Sequence, residues 1–96
     1  MDKLHNENID LFFNSVLKLK NLEECYAFFE DVCTVKEIQS IAQRVVVAKL
    51  LTEGTIYSDI VEKTGASTAT ISRVNRSLNY GNDGYEVVFS RLENDK

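Results

Sequence analysis

Arg73 and Arg76 stand three residues apart in the stretch TGASTATISRVNRSLNYG, Thr64 to Gly81, which contains no Asp or Glu. The whole chain is acidic, with 15 Asp and Glu against 11 Lys and Arg and a net charge of -4, so the clearing runs against the composition. Guanidinium groups pair with phosphate oxygens or, two-pronged, with the major-groove edge of guanine. The hydroxyls of Ser67, Thr68, Thr70 and Ser72 can bond to bases or phosphates, and a side chain as small as that of Ala69 lets the backbone come close. Carboxylates there would repel a phosphate backbone. The chemistry on offer is recognition of a polyanion rather than bond making.

Catalysis has little to work with. His5 is the sole histidine, in a polar amino-terminal segment expected to fray, and there is no Ser, His and Asp set and no phosphate-cradling glycine loop. Cys25 and Cys33 lie eight residues apart without a CxxC pair or a nearby histidine, so neither metal-ligand nor redox spacing is present. They are expected to be reduced core residues. No enzyme activity, metal or resident cofactor is expected. The chain opens on no signal-peptide pattern and has no apolar run of membrane length, which points to the cytoplasm and to no membrane partner.

Charge is unevenly spread. Residues 1–33 carry seven acids and three bases, residues 34–78 four and six, and residues 79–96 four and two. A phosphate senses the local field, because screening confines charge to about 10 Å in ordinary salt, and the middle of the chain is its cationic part.

The elements that must position these residues read as helices throughout. The chain has no proline and only four glycines. Ile9, Phe12, Phe13, Val16 and Leu17, widened by Leu11 and Leu19, recur at helical spacing, and Leu22, Cys25, Phe29 and Val32, widened by Tyr26 and Phe28, form the next stripe. These two helices, at about 7–33, are apolar over more than one face, more than a small subunit can cover, and imply a partner. Thr34-Val-Lys-Glu37 has the form of a capping box. A central helix is expected from there to Gly54, over 34–53, apolar nearly all round and at the centre of the fold. Two shorter helices at about 56–78 come next, around the Thr64-Gly65 turn, with Ile60 and Val61 facing inward on the first and Ile71, Val74 and Leu78 on the second. A last helix at about 84–93 carries Tyr85, Val88, Phe89 and Leu92. The expectation is one all-α domain, residues 1–96, of six helices and no strand.

With Ile71, Val74 and Leu78 turned to the core, Ala69, Arg73 and Arg76 point outward, flanked by Thr70 and Ser72. Such a face suits a helix that enters a major groove by its amino-terminal end, where the helix dipole and free N–H groups also favour phosphate. A plainer reading is a capped surface helix with two solvated arginines, since helix pairs around a glycine also occur in proteins that never touch DNA.

The segments TVKEIQSIAQRVVVAKLLTEG and TGASTATISRVNRSL resemble the Trp-repressor superfamily, in particular its YerC/YecD branch, over Thr34 to Leu78. The resemblance implies a six-helix fold with a helix-turn-helix, an interlaced homodimer, and a sequence-specific double-stranded DNA operator as partner, the chain acting as a repressor. It places groove contacts on Thr68, Ala69, Thr70 and Ser72 beside Arg73 and Arg76, with Ser67 as the cap. It also places a corepressor site on Arg44 and Arg73, the pair that would sandwich a planar ring, with Thr34 and Ser77. Three departures count against tryptophan as that effector: Val74 stands where the family has glycine, Asp31 replaces an apolar residue, and the turn before the first short helix is one residue shorter. The sequence is then compatible with another small planar or anionic effector, or with none. Arg44 could instead pair structurally with Asp31 or Glu30. The rival function is a helical, dimeric protein-interaction module without DNA binding.

Overall fold

Two asparagines that no periodicity singles out start the first two helices. The Asn6 side chain accepts from the Ile9 N–H at 2.9 Å and opens α1 (Glu7–Val16). Asn21 accepts from the Glu24 N–H at 2.9 Å and opens α2 (Leu22–Val32). Thr34 and Glu37 form the expected reciprocal box, the Glu37 N–H donating to the Thr34 hydroxyl at 3.1 Å and the Thr34 N–H to the Glu37 carboxylate at 2.8 Å. They start α3 (Val35–Thr52), and α4 (Tyr57–Thr64), α5 (Thr68–Tyr80) and α6 (Gly84–Asn94) come after it. The computed structural model describes residues 3–95, and the described residues form these six helices with no strand. Residues 1, 2 and 96 of the expected 1–96 span lie outside the described residues.

The chain forms two compact units divided between Ile38 and Gln39, inside α3. In the first, α1 and α2 share a cluster of rings: Phe12 stacks on Phe28 at 6.4 Å and meets Phe29 edge-on at 6.2 Å, and Phe28 meets Phe29 edge-on at 5.6 Å. Yet neither helix contains a buried residue. Leu11, Leu17, Leu22, Tyr26 and Val32 are all more than half exposed, Leu17 at 78%. Cys25 and Cys33 are free thiols but half-buried rather than core residues. The first helix also stops short of the expected Leu19. After Val16 the Lys18 and Leu19 N–H groups bond three residues back, at 3.1 Å each, a tight turn that frees Asn21 for the extended backbone of a cap.

In the second unit the core is Val47, Ala48, Ile60, Ala66, Ile71, Val74 and Phe89, with Leu50, Leu51, Leu78 and Tyr85 packed against it. Complete burial of a Val or Ile side chain contributes about 1.5–3 kcal/mol, and four such side chains, Val47, Ile60, Ile71 and Val74, are few for a chain of this length. One expectation needs correction, and two helices are covered less than their apolar patterns suggest. Val61 is 36% exposed while Ile60 is fully buried, because neighbouring helix positions point about 100° apart. The central helix sends only Val47 and Ala48 fully inward, leaving Ile41, Val45 and Val46 exposed. On α6 Phe89 is buried, but Val88 and Leu92 are more than half exposed. One chain walls only one side of these helices.

Candidate nucleic-acid interface

Polar bonds define the turn between α4 and α5. Thr64 Oγ1 donates to the Ile60 carbonyl at 2.7 Å and accepts from the Ala66 N–H at 3.1 Å. Gly65 comes next at φ 72°, ψ 5°, the left-handed conformation that ends α4, with its N–H on the Val61 carbonyl at 2.8 Å. Ala66 is buried. Ser67 then caps α5, its hydroxyl accepting from the Thr70 N–H at 3.1 Å and bonding to the Thr70 hydroxyl at 3.1 Å. Gln43 of α3 donates to the Thr64 carbonyl at 3.1 Å and ties the turn to the central helix. Nothing in the pattern of the sequence marks Gln43, a polar residue on an apolar helix.

α5 has two unlike faces. Ile71 and Val74 are buried and Leu78 packs against the core. Ser67, Thr68, Ala69, Ser72, Arg73 and Arg76 are exposed and Thr70 is half-buried. The first turn contains no acidic residue, and the nearest acids along the chain are Lys63's neighbour Glu62 and, beyond the helix, Asp83. The outward surface is therefore cationic and small at its amino-terminal end, whatever the sign of the whole chain.

Thr34 is exposed and belongs to the first unit, engaged in the capping box. Arg44 is half-buried, its guanidinium donating to the Ser40 hydroxyl at 3.1 Å. Arg73 is exposed, and the Ser77 hydroxyl donates to the Arg73 carbonyl at 3.3 Å. An open groove of about 670 Å³ runs past the end of α3, α5 and α6 over Tyr85, Phe89 and Glu86. Ser77 borders it; Arg44 and Arg73 do not. Val74 is 2% exposed and belongs to the core. Its side chain fills the interior, as its place in the Ile71, Val74, Leu78 stripe requires.

The acidity of Glu37 is shifted by its own helix cap. Its carboxyl is held below the usual carboxylate range by the Thr34 N–H and then by the Thr34 hydroxyl, which favour the ionised form. This is a helix-cap effect and no sign of catalysis. Among the described residues no group of three or more His, Cys, Asp or Glu could hold a metal ion, and no helix is long and apolar enough to cross a membrane.

Two short helices about a left-handed glycine, the second capped, cationic outside and apolar inside, define a helix-turn-helix protein of the all-α class. The chain belongs to the Trp repressor family: the family model described as Trp repressor protein matches residues 7–93. It is 59% identical over 93 residues to the uncharacterized protein YerC of Bacillus subtilis strain 168, covering 97% of this chain and 89% of that protein. Its fold is that of a TrpR-like protein from Eubacterium eligens ATCC 27750, at a TM-score of 0.93 and 63% identity over 95% of this chain and 94% of the other. A candidate Trp repressor from Staphylococcus aureus aligns at a TM-score of 0.92 and 52% identity, over 95% and 91% of the two chains.

Proposed function

We infer that this chain is a sequence-specific, double-stranded-DNA-binding transcription regulator, a homodimeric repressor of the cytoplasm that reads its operator with α5. The observation that carries the reading is the outward face of that helix: Thr68, Ala69, Ser72, Arg73 and Arg76 all exposed, with no carboxylate on the helix, in an otherwise acidic chain. Ser67, Thr68, Ala69, Thr70 and Ser72 lie at the end that meets base edges, and Arg73 and Arg76 farther along serve phosphates or guanine. Membership of the Trp repressor family supports the same reading. The homodimer rests on the uncovered apolar side chains of α1, α2 and α3. Two-fold related recognition helices then demand half-sites whose centres lie about 34–36 Å apart, one turn of the duplex.

The effector reading is narrower. Arg44 and Arg73 offer planar cations suited to a small planar or anionic molecule other than tryptophan, with Thr34 and Ser77 as further polar positions. Its support is the pairing of arginines retained from the family pattern with the departures at Asp31 and Val74. Calorimetric titration with tryptophan is expected to be silent at micromolar protein.

Selection of bound sequences from random duplexes tests the main reading. A palindromic consensus is expected, with an affinity that falls steeply as salt is added. Recovery of no consensus, together with salt-insensitive capture of a protein, would favour the helical interaction module instead.

A further inference from the structure

Tyr80 is the last residue of α5 and the most exposed large apolar or aromatic side chain among the described residues, at 86%. It lies eleven residues after Ala69, seven after Arg73 and four after Arg76. At about 100° per residue this returns it to within about 20° of Ala69, so Ala69, Arg73, Arg76 and Tyr80 form one outward stripe. Its hydroxyl makes no hydrogen bond among the described residues. Polar neighbours at this end of the helix are engaged elsewhere: Asn79 donates to the Asn75 carbonyl at 2.9 Å and Ser77 to the Arg73 carbonyl at 3.3 Å.

The residue after Tyr80 fixes its position. A Cβ built on Gly81 would run into the Ser77 carbonyl oxygen, the same oxygen that accepts the Gly81 N–H at 3.0 Å. Glycine is needed for the chain to leave the helix at that point, and Tyr80 is thereby held on the final turn. The rise from Ala69 to Tyr80 is about 16 Å along the axis. A straight rod whose first residues touch base edges outruns, over that length, a groove only about 8.5 Å deep and about 12 Å wide. Its far end comes out beside the sugar–phosphate strand.

Resting on the DNA-binding reading above, we propose that Tyr80 is a further DNA-contacting residue, whose hydroxyl donates to a backbone phosphate and fixes the tilt of the recognition helix. Tyrosine is a regular donor to phosphate, and such a contact positions the protein without reading sequence. It neutralises no charge, which separates it from the arginines on the same stripe.

The test measures affinity for the selected operator and for an unrelated duplex over a range of salt, for the unaltered chain, Tyr80→Phe, Tyr80→Arg and Arg76→Ala, with sedimentation of each protein alone. Tyr80→Phe should lose about tenfold per subunit on both duplexes, the effect of one hydrogen bond to a charged group on each recognition helix, with an unchanged salt slope. Arg76→Ala should lower that slope by about 1 per subunit. Tyr80→Arg should restore affinity and raise the slope by about the same amount. Full affinity in Tyr80→Phe, a loss confined to the operator, or a shift in self-association that places Tyr80 against a second copy would each overturn the proposal. Absence of any duplex binding by the unaltered chain would instead remove the reading on which it rests, and the proposal with it.

Discussion

Dilution is the most informative perturbation of this molecule. α1 and α2 contain no buried residue, and Ile41, Val45 and Val46 of the central helix are exposed; if a second copy covers these side chains, folding and association are one equilibrium and the melting midpoint depends on concentration. The size of the effect can be worked out. Unfolding entropy is about 2.1 cal/mol/K per residue, so two chains of 96 residues contribute about 0.4 kcal/mol/K. A tenfold change in concentration is worth about 1.4 kcal/mol of dimer. The midpoint should rise by about 3–4 °C per tenfold, or about 7 °C between 1 and 100 µM. Circular dichroism in cells of different path length measures this directly. Val46→Asp, a carboxylate on the uncovered face of α3, should lower the midpoint most in the dilute sample. A midpoint that stays flat over the hundredfold range, with sedimentation at the 10.9 kDa of one chain, would refute the reasoning and the two-half-site geometry with it.

Three other outcomes are expected. Ala69→Glu puts a carboxylate at an exposed position of the reading face and should abolish duplex binding while changing stability by no more than about 0.5 kcal/mol; full affinity in that protein would mean that another element reads DNA. Val74→Ala should lower stability by about 2 kcal/mol and Val74→Gly by about 3–4 kcal/mol, the lost methyl groups plus glycine's cost inside a helix. Urea unfolding at one protein concentration checks this. Glu37→Gln should be less stable than the unaltered chain at neutral pH, with the difference closing in acid. The folded carboxyl is held below its usual range, so its stabilisation is present above the unfolded value of about 4.3 and is lost as the pH falls through the lower folded one; a gap unchanged down to pH 2 would argue against the capping box.

Helix punctuation was the most legible part of the sequence. The Thr34 and Glu37 box, the left-handed Gly54 and Gly65 and the Ser67 cap all stand where local chemistry puts them, because each depends on residues within one turn of itself. The inward face of α5 was legible for the same reason: Ile71 and Val74 follow the helical repeat into the core. The caps at Asn6 and Asn21 lay behind ambiguous polar runs, and the apolar stripe past Val16 hid the end of α1. Apolar periodicity says that a face wants cover, not that its own chain supplies it, which is why Val45, Val46, Val88 and Leu92 belong to apolar helices and are exposed. The Gln43 clasp on Thr64 links positions 21 residues apart, beyond the reach of any local rule.

The two faces of α5 bear on how such a protein changes over time. Residues that pack, Ile71 and Val74, and residues that would read, Ala69, Ser72, Arg73 and Arg76, share one helix yet no position. Substitutions on the outer stripe leave the interior volume untouched and so escape the stability threshold that purges most mutations. Duplicated copies can therefore diverge in the sites they address while keeping the same interior, each change tested for what it recognises and hardly at all for whether the chain still folds.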